Sequence, residues 1–541
     1  MNLLTPSRKR PADRVKSDTD KRAGSGPYTF PAPTHGWVEN ANIAGGVERS
    51  ARVLENMFPT TLGVRARGGK ARAAYVGAQA VSMFRYKSAS AEKLFAATAA
   101  AVYDVTALNP TTVPSPAFSS LSSGYFITAQ LGTVGGEFLY AVNGSNDARL
   151  YDGTTWTAIN GASTPAIAGA TTSTFSYVSV HKSRLWFIQK NTKTAWYLAQ
   201  DSISGTASSF PLSGVFQKGG SLLFTATWST DAGDGMDDRL VFVSTEGECA
   251  VYAGTNPGSA TTWALEGLYQ LPKPIGARCH MRAGGDLLIG TEAGLVSLSA
   301  AAAKDPNAMD VSAVSDPIAL SWRVEMKRRA TVGQPCEIIR WQREGSMFVT
   351  MPHSAGTSFV ANLQTGAWAK YTGWDIQCGC EFGGIFYFAE RSGRIFSAET
   401  VSNDDGAAYY CRVSYMPSDL GAPSALKSVG LMQATLQSVE TPVVKLTLSS
   451  DYKVEFPAPP SATAPSAIGG AVWDVSLWDV ALWDDDGTAF DIVRPVYQTG
   501  WVSVGANGIR FAPQMQITMN GAGKPTAELM SIDIMVEQGG V

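Results

Sequence analysis

Along most of the chain, apolar, β-branched and aromatic residues come in runs of four to seven, broken by Gly, Asn, Asp and Ser. Such runs read as short strands joined by turns. One unit recurs: an apolar strand, a short polar turn, then a second strand with an aromatic or apolar end. It stands at 93–107 (KLFAATAAAVYDVTA), 137–153, 184–200 (RLWFIQKNTKTAWYLAQ), 239–254, 286–300, 347–368 and 384–399. Its starts are unevenly spaced, so the loops between units must vary in length. The spacing centres on that of four-stranded propeller blades, which repeat at roughly 40–50 residues. The pattern therefore predicts an all-β chain with a β-propeller of six or seven blades over 76–400, each unit being the central hairpin of one blade. YDGTTW (151–156), GSATTW (258–263) and QTGAW (364–368) each place a Gly before a Trp. The Gly suits a turn with positive φ, and the Trp is expected to cover a blade edge.

Two stretches break the pattern. VERSARVLENMF (47–58) has apolar residues at 47, 51, 53, 54 and 57, then Pro59; a helix ending at the proline is expected there. From 401 to 541 the strands lengthen, as in VVKLTLSSDYKVEF (443–456), and a separate β-sandwich-like domain is expected. It carries a Trp-rich insertion at 457–490, where Trp473, Trp478 and Trp483 recur every five residues, each followed by Asp. That period suits neither a helix face nor a strand face, so a turn-forming protein-contact segment is expected. Residues 1–75 read as a flexible arm and docking segment, basic at Arg8, Lys9 and Arg10. They show no apolar signal-peptide core, and no run of 18 apolar residues suggests a membrane span.

At 541 residues the chain is too long for one core, and 45% hydrophobic residues predict folded domains. Charged residues make up only 16%, below the roughly 25% of ordinary globular chains. This suits a surface buried in an assembly. A net charge of −3 argues against a surface that grips nucleic acid through phosphates. The six cysteines include no CxxC pair, so free buried thiols are expected. Cys378-Gly-Cys380 reads as two small residues on one strand face, with a metal or redox site as the alternative.

Catalytic signals are weak. No phosphate-binding loop, zinc-protease or serine-hydrolase motif occurs. His35, His181, His280 and His353 lack metal-ligand spacing. The acidic run DAGDGMDD (231–238) misses the EF-hand pattern. YDGTTW resembles half of a sialidase Asp-box, but Leu150 and Tyr151 stand where the leading half belongs. No enzyme activity, cofactor or metal is expected.

The segment SARVLENMFPTTLGVRARGG (50–69) resembles the N-terminal part of the nozzle proteins of short-tailed bacteriophages, also called tail tubular protein B or packaged-DNA stabilisation proteins. AVYDVTA (101–107), VYAGTNPGSATTWALEGLYQLPKPIGARC (251–279), TEAGLVSLSA (291–300) and the Trp-Asp repeat are similar to that family too. The resemblance implies a virion tail protein assembled in the host cytoplasm. It implies a homo-hexamer under the portal and adaptor rings, which retains the packaged genome, conducts double-stranded DNA during ejection and docks tail fibres or spikes. The competing expectations are a glycan- or receptor-binding propeller of a tail fibre, and a propeller glycosidase.

Overall fold

The strands form where β-branched and aromatic residues alternate, and glycines with positive φ turn the chain between them, as at Gly153, Gly247 and Gly393. In the computed structural model the described residues are 26–39, 47–229, 238–303, 313–332, 336–351, 356–463 and 495–538.

Six separate antiparallel sheets of three or four strands are arranged as blades. Blade 1 runs from Ala80–Lys87 out to Pro116–Ser119, and blade 2 from Ile127–Thr133 to Trp156–Ile159. Blade 3 runs from Phe175–His181 to Ser208–Pro211, and blade 4 from Leu222–Trp228 to Trp263–Gln270. Blade 5 has three strands, His280–Ala283, Asp286–Gly290 and Leu295–Ser297. The closing blade starts at Cys378–Phe382, and its fourth strand is Lys70–Tyr75 from the other end of the chain. Its first strand packs on Ala80–Lys87 of blade 1, which completes the ring. Between blade 5 and the closing blade stands a further four-strand meander, from Glu337–Trp341 to Trp368–Thr372. All seven repeats of the sequence are the second and third strands of these sheets.

The meander is not a separate sheet. Its outermost strand pairs through Lys370 with Glu55, and the sheet continues through Ala51–Glu55, Tyr409–Tyr415, Phe511–Met519 and Val444–Ser450 to nine strands. A seven-stranded sheet faces this extension, built on the long strands Lys427–Gln437 and Glu528–Gln538. Phe30, Leu54, Val413, Met432, Met515 and Ile534 are buried in the sandwich. They belong to one apolar cluster that runs on into the meander through Trp368 and Trp374.

Two expectations are corrected. Residues 47–58 are not a helix but the strands Ala51–Glu55 and Met57–Pro59. The span 1–75 is not wholly an arm: Gly26–Pro31 pairs with Ser531–Val536, and Val64–Ala66 joins the same sheet. The propeller therefore begins at Lys70, and the sandwich is made from both ends of the chain. Among the described residues no helix is long and apolar enough to cross a membrane.

Candidate functional site

The densest polar construction lies where propeller and sandwich meet, on the segment 55–70. Asn56 adopts φ +56°, a left-handed conformation that asparagine tolerates better than most residues. The kink turns its buried amide inward. Its Nδ2 donates to Thr372 Oγ1 (2.9 Å) and the Tyr410 carbonyl (2.7 Å), while its Oδ1 accepts from Arg67 Nε and the Thr372 amide (2.8 Å each). Arg67 is fully buried. Its Nη1 donates to the Gly68 carbonyl (2.8 Å) and Asp404 Oδ1 (3.0 Å), and its Nη2 to the Thr372 carbonyl (2.9 Å) and Asp404 Oδ2 (2.7 Å). With the Nε bond, all five guanidinium donors are used, as a buried arginine requires. The aromatic rings of Tyr409 and Trp374 lie 4.0 and 4.6 Å from the guanidinium carbon. Burial works against the charge of Arg67, but Asp404 outweighs it and holds the pKa above its ordinary value.

A second, largely enclosed arginine extends the joint. Arg65 bridges Glu399 (2.6 Å) and Glu344 (2.9 Å), and Lys524 reaches Glu344 from the C-terminal part of the chain (3.2 Å). Gly68 and Gly69 run so close to the neighbouring chain that an added Cβ would stand 2.4 Å from Glu399 Cα and 2.0 Å from the Asn403 carbonyl oxygen. Only glycine fits at either position.

The propeller is held by two further devices. Trp156 and Trp263 stand on the outermost strands of blades 2 and 4. Trp156 packs edge-on to Phe95 of blade 1 (5.2 Å), and Trp263 stacks on Trp186 of blade 3 (5.7 Å). These tryptophans fill the space between adjoining blades. In the middle of the ring, Arg278, just before blade 5, donates to the Val81 carbonyl of blade 1 (2.9 Å), to Ser82 Oγ, and to the Phe126 carbonyl at the entry to blade 2 (2.7 Å). It also lies 3.8 Å from Glu337 and over the Tyr125 ring. Blade 5 neighbours neither blade 1 nor blade 2, so this side chain spans the ring's centre. Burial pushes the Glu337 carboxyl up to about 7 against the pull of Arg278. His280 stacks on Phe224 (4.2 Å) and meets Tyr177 Oη (3.1 Å).

No family model matches the chain, and no curated protein matches it. Among solved structures, the computationally designed Ika8 protein is 7% identical over 60% of this chain and 98% of its own, with a TM-score of 0.35. The Cps50 (Swd1) β-propeller domain of Myceliophteria thermophila is 10% identical over 61% and 99%, with a TM-score of 0.36. BBS1N in complex with ARL6DN is 11% identical over 62% and 97%, also at 0.36. Likeness this distant carries nothing about function.

The interaction residues expected from sequence, Trp473, Trp478, Trp483, Arg8, Lys9 and Arg10, lie outside the described residues, as do Asp231, Asp234, Asp237 and His353. Among the described residues no three His, Cys, Asp or Glu side chains are grouped to hold a metal. His181 and His280 sit in separate polar contacts, with Thr227 and Tyr177. Asp152 of the Asp-box-like turn accepts from the amides and hydroxyls of Thr154 and Thr155 (2.7–3.0 Å). These bonds, the Thr155 amide first, pull its pKa down to about 2; its role is to brace a hairpin. Cys378 and Cys380 are free thiols on one strand, packed in the cluster between blade 1 and the closing blade. The joint around Arg67 was not foreseen, although the dense run of Asn56, Arg65, Arg67, Gly68 and Gly69 was the available signal.

Proposed function

We propose that the chain is a structural tail protein of a short-tailed bacteriophage: a subunit of a hexameric nozzle that extends the DNA channel below portal and adaptor, retains the packaged genome, conducts it during ejection and docks tail fibres or spikes. The observation that carries this reading is the segment 50–69. The stretch that resembles the nozzle family is the one that joins the two domains, and its Glu55, Asn56, Arg65, Arg67, Gly68 and Gly69 each have a structural task there. A subunit of a pressurised channel has to transmit force between its domains without bending. A fully hydrogen-bonded buried arginine joint and a sheet shared by both domains suit that task.

In this reading DNA passes through the tube enclosed by the six subunits. It does not pass through an individual propeller, across which Arg278 ties the entry of blade 5 to blades 1 and 2. The net charge of −3 and the low charged fraction suit a lumen from which phosphates slide freely. Ring closure uses one repeated heterologous contact between identical subunits.

Gold-labelled antibody against the chain tests the location on intact virions. Label at the tail below the portal vertex is expected. Label confined to fibre tips would favour a receptor- or glycan-binding propeller, and absence of the chain from virions would overturn the proposal.

A further inference from the structure

Cys279 and Cys336 lie against each other in the core, Sγ to Sγ 2.9 Å, and both are fully buried. Cys279 immediately precedes the first strand of blade 5, and Cys336 the first strand of the shared meander. The two segments are aligned by a bond from the Ile338 amide to the Arg278 carbonyl (3.1 Å). Cys279 is fixed to its own blade by the Gly290 amide, which donates to its carbonyl (2.7 Å). Gly290 also leaves room for the sulfur, since a Cβ there would stand 2.5 Å from Cys279 Sγ. Other thiols face oxygen atoms: Cys411 donates to the Asn56 carbonyl (3.1 Å) and Cys378 to the Ala80 carbonyl (3.6 Å).

We propose that Cys279 and Cys336 are an oxidative cross-linking site, at which a hydroperoxide converts the two thiols into a disulfide that staples blade 5 to the shared meander. A disulfide bond is about 2.05 Å long, so the sulfurs need to move by less than about 1 Å. One sulfur attacks the peroxide and takes one oxygen as a sulfenic acid, while the O–O bond breaks and water or an alcohol leaves. The second sulfur attacks the sulfenic sulfur, and its proton departs with the leaving hydroxide as water. Two thiols lose two electrons and the peroxide gains them.

The location gives the bond its consequence. Blade 5 has three strands where the other five blades have four. The chain between the two cysteines includes the helix Ala319–Val332, so the bond closes a long loop between blade 5 and the meander. Burial, with the second thiol alongside, holds the Cys279 pKa well above its ordinary value, which keeps the thiolate scarce and oxidation slow at neutral pH. The rate is expected to climb as pH rises. The inference is independent of the nozzle reading.

The test uses the full folded chain, treated with hydrogen peroxide, then denatured, alkylated and mapped by peptide mass spectrometry. The expected result is a linked peptide pair, Cys279 to Cys336, two hydrogens lighter than the separate thiols, with Cys249 and Cys411 still alkylated. The oxidised wild type is also expected to melt several degrees above its reduced form, a shift absent from Cys336→Ala. Complete alkylation of both cysteines after exhaustive oxidation, or sulfinic acid on either without a cross-link, would overturn the proposal. The wild-type map decides the matter even if the variant fails to fold.

Discussion

Arg67 shows how one side chain couples distant parts of the sequence. It holds Asn56, Thr372 and Asp404 together, joining the start of the chain to its last third. Replacing it with Met leaves Asp404 nearly buried without its partner, and removing one member of a buried pair costs about 3–5 kcal/mol. Arg67→Met is expected to lower stability by that amount in urea unfolding, and Arg67→Lys to recover little, because an ammonium lacks the five-donor fork. A loss below about 1 kcal/mol, the size of an ordinary surface pair, would show that the joint contributes little. His181 and His280 predict a pH dependence. Burial, with Lys182 and Arg282 nearby, lowers His181 to about 3, and burial lowers His280 to about 4. Both take up protons on unfolding, so their contribution is complete above pH 6.5 and is lost as pH falls towards 4 and 3. Glu337, raised to about 7, acts in the opposite sense: its contribution is complete below pH 4.5 and is lost as pH rises through 7. Urea midpoints measured from pH 7 to pH 4 should therefore fall, and fall less in the His181→Gln/His280→Gln double variant. Equal slopes would count against this assignment.

Among the elements, the closing strand Lys70–Tyr75 and the edge strand Gly26–Pro31 make the fold depend on the start of the chain. Gly26–Pro31 lies along Ser531–Val536, at the opposite end of the sequence. A chain starting at Gly26 retains every described contact, whereas one starting at Ala32 loses this strand and uncovers part of Glu528–Gln538. Differential scanning calorimetry is expected to show an unchanged melting temperature for the first and a drop of several degrees for the second. The repeated hairpins were legible because each is local: two strands and a turn close together in sequence, with alternation and turn residues intact. The strand at 51–55 was not legible as a strand. A bulge between Ala51 and Val53, and the left-handed Asn56, place buried Ala51, Leu54 and Met57 at every third position, which imitates a helical period. The strand exchange joins Lys70–Tyr75 to Arg394–Ala398, and the Arg67 joint reaches Asp404; no local pattern records partners so far along the chain.

At the scale of the whole molecule, the nine-stranded sheet makes propeller and sandwich one mechanical body. Few charges and many glycines suit a subunit whose surface is largely buried by its neighbours. Ring assembly would also give this body its purpose: six rigid wedges enclosing a channel, with closure set by the shape of one repeated interface. If the proposed ring forms, its lumen should respond to added cations, and lysines introduced there are expected to slow DNA ejection at low salt and lose that effect as salt rises. The most direct test of the central claim is electron microscopy of the purified full-length chain together with its mass in solution. A closed ring of six copies around an axial channel wide enough for double-stranded DNA is the predicted result; a stable monomer at assembly concentrations, or an open filament, would contradict it.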